Sequence, residues 1–260
     1  MTKYVSRNPR LNLEVGKRFL GIICLLLANA VSTRAGELTF EAETGAVWFS
    51  QNEVRIPGDT GTKFDMRDLT GSGPEAYIRL YATYAFNERH SLRLTFAPLE
   101  AEGTGTLPQE TTFEDAVFSP DIPTKGTYKF NTYRLTYQWT FYHSERWRWG
   151  VGAALLVRDA KIVLQQGDIN QSSDDLGVVP LLHLYGAYRW TDEFSLILDA
   201  EGLAAPQGRA FDVAFKAQYQ IDPNWYASIG YRTLEGGADN DEVYNFAWLH
   251  YALIEVGYSF

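Results

Sequence analysis

The chain is poor in cysteine, methionine and histidine, with one, two and four of them in 260 residues. The lone Cys24 lies inside an apolar run, so neither a disulfide framework nor a paired-cysteine metal or redox motif can be built. Positive charge is also scarce. The formal net charge is −9, and residues 1–35 hold six Lys and Arg but only one acid. From Gly36 onward 17 basic residues face 31 acidic ones, net −14. That balance excludes a nucleic-acid partner, which would require a basic face. After residue 35 no apolar stretch reaches 18 residues, so no helix of this region is expected to cross a bilayer.

One apolar run does occur, and it is short. Lys17 and Arg18 precede FLGIICLLL, and ANA and TRA follow, each ending in a small residue. This is the pattern of a secretory signal peptide over 1–35, cleaved near Ala30 or Ala35 and marking export. Leucines continue past Cys24, which argues against lipid attachment there. The expected mature domain is 36–260, a length suited to one all-β unit.

Alternation with period two runs through this region. In YRLTYQWTF, Tyr133, Leu135, Tyr137, Trp139 and Phe141 share one face, and Thr132, Arg134, Thr136, Gln138 and Thr140 share the other. Such strands suit a barrel whose apolar face meets lipid and whose polar face meets the lumen. Short turns are read at 87–90, 143–146, 191–193 and 221–224. Longer polar connections are read near 57–74, 103–126, 167–177, 205–209 and 236–242. The strands between them fall near 37–54, 75–86, 91–102, 127–142, 146–166, 178–190, 194–204, 209–220, 225–235 and 243–260. The expected fold is therefore all-β, an antiparallel up-and-down transmembrane β-barrel of ten strands, with eight or twelve also compatible. No helix is expected after residue 35.

Tryptophan supplies an independent check. Trp139, Trp147, Trp149, Trp190 and Trp225 lie near short turns, while Trp48 and Trp248 lie about a dozen residues along their strands. At roughly 3.3 Å per residue and a tilt of about 40°, the two sets are about 25–30 Å apart, the spacing of two aromatic girdles.

The chain closes on LIEVGYSF, with Ile254, Val256, Tyr258 and Phe260 at alternate positions. This strand resembles the C-terminal strand of bacterial outer-membrane β-barrel proteins. The resemblance implies an outer-membrane location, recognition of these four residues by the barrel-assembly machinery, and contact with outer-membrane lipids and lipopolysaccharide. It names no specific family, and it leaves ligand and oligomeric state open.

Parity directs a belt of charge into the lumen: Glu43, Arg79, Arg134, His183, Asp199, Glu201, Asp212, Lys216, Arg232 and Glu255, with Glu41, Arg93, Arg148 and Arg189 on the same face. Tyr77, Tyr81, Tyr185 and Tyr226 also point inward. Charges in a narrow, poorly hydrated space must be paired, so the belt is expected to plug the barrel in a structural or surface-exposed protein. A narrow small-solute or ion channel is the first alternative.

An interfacial lipid-modifying hydrolase is the second alternative, by analogy with barrel acyl hydrolases, phospholipases and proteases. His183 and His250 are its weak catalytic candidates, and the sequence offers neither a convincing serine partner. The sequence leans away from an enzyme, and no cofactor is expected. Asp239, Asp241 and Glu242 cluster in one loop, but without the fixed ligand spacing of a calcium site, so no metal site is assigned.

Overall fold

The computed structural model describes residues 36–206 and 208–260; the expected signal peptide lies outside them. Among the described residues fourteen strands occur in order: β1 Glu37–Arg55, β2 Phe64–Asp65, β3 Glu75–Asn87, β4 His90–Ala97, β5 Glu100–Thr106, β6 Thr111–Phe113, β7 Ala116–Phe118, β8 Pro123–His143, β9 Trp147–Gln166, β10 Ile169–Arg189, β11 Phe194–Ala205, β12 Gly208–Gln220, β13 Trp225–Asp239 and β14 Tyr244–Ser259. Every pairing is antiparallel, and β14 pairs back to β1 to close a ring. Because β4 and β5 both run along β8, the ring has ten staves. The small β6–β7 hairpin stands outside it, and β2 adds two residues beside β1.

The staves form because their two faces solve different problems. The outward positions are large and apolar, among them Leu135, Tyr137, Trp139, Leu155, Leu182, Phe215, Ile229 and Ile254, all exposed. The inward positions are polar, and many are fully buried, including Glu43, Thr132, Thr136, Asp212 and Glu255. A soluble protein would hide the first set, since wide exposed apolar surfaces drive association. The inverted arrangement is that of a barrel solvated by lipid outside.

The short turns at one end are set by local side-chain acceptors. Asn87 Oδ1 accepts the amides of Arg89 and His90 at 2.9 and 3.1 Å, and Asp222 Oδ1 those of Asn224 and Trp225 at 2.8 and 2.9 Å. Thr191 Oγ1 does the same for Glu193 and Phe194. Such Asx and Thr turns replace backbone partners where the chain reverses.

At the other end the structure corrects the sequence reading. Residues 169–177 are strand rather than connection, and β9 and β10 meet in a two-residue turn at Gly167 and Asp168, where Gly167 has φ 57. Strand ends likewise take up most of the expected connections near 205–209 and 236–242, whereas that near 103–126 loses only 103–106 and 123–126 to β5 and β8. These extensions rise beyond the apolar band, where both faces meet water, so their sequences lack the alternation that marks the lower staves.

A one-turn helix, α1, forms at Arg67–Thr70, where none was expected. It belongs to a second apolar core built from the loops. Phe64, Met66 and Leu69 from the β1–β3 connection, and Leu107, Phe113 and Phe118 from the β5–β8 connection, pack with Val47, Tyr128, Leu164 and Leu249 of the staves. Phe113 and Phe118 are fully buried. The two longest connections thus fold against the barrel rather than standing free in solvent.

Candidate functional site

All ten residues of the expected charge belt are buried. The structure joins most of them, and the half-buried Arg93, into one ionic cluster. Arg232 on β13 donates to Glu43 on β1 at 2.9 Å and to Asp212 on β12 at 2.6 Å. Arg79 on β3 reaches the same Asp212 at 2.8 Å. Arg134 on β8 meets Asp212 at 3.0 Å and also binds Glu201 on β11. Arg93 on β4 donates to Asp199 at 2.5 Å and to Glu201 at 3.2 Å. Lower down, Lys216 pairs with Glu255 at 2.8 Å.

Tyrosine and threonine complete the shells of these carboxylates. Tyr77 and Tyr81 donate to Glu43 at 3.0 and 2.9 Å, Thr136 donates to Glu201 at 2.7 Å, and Tyr226 donates to Glu41 at 2.7 Å. Five cations thus face five buried carboxylates: Arg79, Arg93, Arg134, Lys216 and Arg232 against Glu43, Asp199, Glu201, Asp212 and Glu255. A balanced, hydrogen-bonded set is the form in which charge tolerates a dry interior.

The geometry of the ties matters more than their number. Around the ring, β3 and β12 are four staves apart, as are β8 and β12, and β4 and β11. The Arg79–Asp212, Arg134–Asp212 and Arg93–Asp199 pairs therefore cross the lumen instead of running along its wall.

His183 lies in the same layer. Its Nε2 is 3.1 Å from Gln138 Oε1, and its Nδ1 stands 3.6 Å from Asp199 and 3.5 Å from Glu201. His183, Asp199 and Glu201 are spaced closely enough to hold a metal ion. The donor set does not fit one, because Arg93 and Arg134 already neutralise both carboxylates and would lie against any added cation. Arg148 and Arg189 line a mouth of about 410 Å³ at the end with the short turns, beside Arg146 and His143.

Above the ionic layer the barrel opens into a cavity of about 770 Å³, with Arg134 and Asp212 among its lining. Its walls are apolar, from Tyr128, Leu156, Ile162, Leu181, Leu234 and Leu249. Its rim is charged and internally paired, Lys161 with Asp174 at 3.3 Å, Arg209 with Glu235 at 2.6 Å, and Arg158 with Asp175. Asp239 lies 3.9 Å from Arg55, and Asp241 and Glu242 line the mouth of the cavity. These three acids do not converge on a common point as metal ligands.

On the outside, Trp48, Trp139, Trp147, Trp190, Trp225 and Trp248 are exposed, and the half-buried Trp149 stacks on Trp147 at 5.8 Å. Ile254, Val256 and Phe260 face outward, with Tyr258 half-buried between them; Phe260 meets Phe40 edge-on at 5.8 Å, and its amide donates to Leu38 across the β1–β14 seam. His250 sits among Trp48, Trp248 and Tyr231. It also touches a residue that sequence reasoning missed: His250 Nε2 is 2.9 Å from Ser50 Oγ. Two hundred residues separate the pair, and only ring closure brings them together.

An inverted, closed, ten-stave antiparallel barrel with an ionic lumen is the fold of bacterial outer-membrane β-barrel proteins. Among solved structures, the outer membrane protease OmpT from Escherichia coli superposes with a TM-score of 0.58 at 10% identity, covering 88% of this chain and 99% of that one. An outer membrane channel from Pseudomonas putida F1 gives 0.42 at 8% identity, covering 88% and 97%. Ail, the attachment invasion locus protein of Yersinia pestis, gives 0.39 at 13% identity, covering 87% and 100%. No protein-family model matches the chain, and no curated protein matches its sequence.

Proposed function

We propose that this protein is an outer-membrane barrel with a plugged lumen and a structural, surface-exposed role, presenting the 770 Å³ cavity as a cup to the cell exterior. The observation that carries this reading is the set of arginine–carboxylate ties crossing the lumen between staves four apart. A conducting path would have to part these pairs, and a buried charge left without its partner is destabilising by about 3–5 kcal/mol. In this reading the chain is exported by a cleaved signal peptide, inserted by the barrel-assembly machinery through its last strand, and solvated by outer-membrane lipids and lipopolysaccharide.

Planar bilayers test the plug. The purified, heat-modifiable protein should add no stepwise conductance in 1 M KCl. Regular single-channel steps from the wild-type protein would replace this reading with the narrow-channel one.

A further inference from the structure

Ser50, His250 and Tyr231 form a hydrogen-bonded row on the outer wall of the barrel, independent of the lumen. His250 Nε2 lies 2.9 Å from Ser50 Oγ, and His250 Nδ1 lies 2.5 Å from the Tyr231 hydroxyl. We propose that Ser50 and His250 are the nucleophile and general base of an ester hydrolase that acts on the acyl chains of lipids in the adjoining leaflet.

The backbone supplies the first argument. Along the seam, pairing passes from Phe49↔Leu249 directly to Gln51↔Trp248, so Ser50 is the extra residue of a β-bulge. Bulges interrupt the ladder to re-aim a side chain and are over-represented beside active sites. This one is braced on both sides. The Phe49 amide donates to the Ser72 carbonyl at 2.9 Å, and the Ser50 carbonyl accepts from Arg67 Nη1 at 2.5 Å. Arg67 is itself held by Asp65 at 2.5 Å.

Position supplies the second. Ser50 is exposed and faces outward. His250 is flanked by the rings of Trp48 and Trp248, at 6.0 and 5.4 Å. Tryptophan and tyrosine collect at the boundary between headgroups and acyl chains, the level at which lipid ester carbonyls lie. A lipid reaches Ser50 by sideways diffusion, without entering the barrel.

The chemistry balances. With Nδ1–H donating to the Tyr231 oxygen, Nε2 is free to accept the Ser50 proton, a pairing that activates a serine hydroxyl. The hydroxyl also lies 3.2 Å from the Trp248 carbonyl, and the reaction requires it to donate to the nearer Nε2 instead. As Oγ bonds to the ester carbon, its proton passes to Nε2. Collapse of the tetrahedral intermediate breaks the ester C–O bond, and that proton leaves on the alcohol oxygen. Water then attacks the acyl-serine, His250 takes its proton and returns it to Oγ, and a fatty acid is released.

The test uses the full-length protein folded in detergent and a fluorescent fluorophosphonate. Labelling should map to the peptide containing Ser50, vanish in Ser50→Ala, and slow by about 10²–10⁴-fold in His250→Asn. Tyr231→Phe should move the pH midpoint of labelling while the heat-modified gel shift stays unchanged; an unmoved midpoint removes Tyr231 as the orienting residue. Fatty acid release is then followed in phosphatidylethanolamine vesicles and, separately, in vesicles containing lipopolysaccharide, which distinguishes the two sources of acyl ester. The proposal is overturned if heat-modifiable protein releases no fatty acid from either vesicle, whether or not it labels, or if Ser50→Ala labels like the wild type. Bilayer conductance is read separately, so failure here leaves the plug standing.

Discussion

Arg134 binds two carboxylates on two different staves, Glu201 on β11 and Asp212 on β12. Replacing it with alanine leaves Glu201 with Arg93 and Thr136, and Asp212 with Arg79 and Arg232. Because those partners remain, Arg134→Ala should lose about 3 kcal/mol, the low end for breaking a buried pair. Arg209→Ala at the exposed rim pair with Glu235 should lose under about 1 kcal/mol. The temperature at which the folded band disappears on unboiled gels should therefore fall for the first variant and hold for the second. A second residue-scale test lies at the outer end of β1, five residues beyond the girdle residue Trp48, where Glu53 meets Lys63 of the β1–β3 connection. Lys63 donates to Glu53 at 2.7 Å and holds its carboxyl below the ordinary value of 4.5. A lowered folded pKa contributes stability that is present above that value and lost as pH falls through the folded one. The pair is partly exposed, so the effect is a few tenths of a kcal/mol. Amide exchange around 56–66 should quicken as pH falls below 4.5, corrected for intrinsic rates, and Lys63→Met should remove the difference. Period-two parity makes legible which side chains point inward. It cannot say which inward charge meets which, because partners such as Glu201 for Arg134 and Glu43 for Arg232 lie 67 and 189 residues away and are chosen by the stagger of the closed ring. Ser50 escaped notice for the same reason, since its partner His250 lies 200 residues away and only the closed seam brings the two together.

The elements divide into those that the membrane disciplines and those that it does not. The lower staves carry an apolar outer face by necessity, so their alternation is clean and ten strands are readable from it. The β9–β10 extension at 169–177 reads INQSSDDLG, polar on both faces because both meet water, and its composition resembles that of a loop. The loop core was hidden differently. Phe64, Met66, Leu69, Leu107, Phe113 and Phe118 are scattered among glycines, prolines and charges, so no periodic signal joins them, although the fold packs them together. This sets the behaviour of the β6–β7 hairpin. Phe113→Ala removes a fully buried ring, a loss of about 3–5 kcal/mol in a rigid core. The loss should open the loop and not the barrel. Protease added to intact cells should then cut near 107–122 in the variant and spare the wild type, while the heat-modified gel shift persists in both.

For the whole molecule, closure rests on one seam, where β14 runs beside β1 from Thr39↔Ser259 to Arg55↔Tyr244. Phe260 sits at its foot, packed on Phe40 and Tyr258. A charge on the lipid face costs about 2–4 kcal/mol at mid-membrane and about 0–1 near the interface, so Phe260→Asp is not forbidden on energy alone. It should nevertheless lower the fraction of chain recovered as heat-modifiable barrel well below that of Ser259→Asp; equal recovery would deny the last residue any part in assembly. Gly45, at φ 145, lies within the seam, and a Cβ there would stand 2.1 Å from the Ala252 carbonyl oxygen, so the two strands approach only because the side chain is missing. The seam also fixes an order of events. Its partners are far apart along the chain, Glu43 opposite Glu255 for example, and such pairings are slow to find. Every other stave pairs with a near neighbour in sequence and zips early. Until the final strand arrives, the half-made sheet carries two open flanks, each a template for another copy of itself. The longer the chain spends in that state, the more of it is exposed to aggregation before the ring can close.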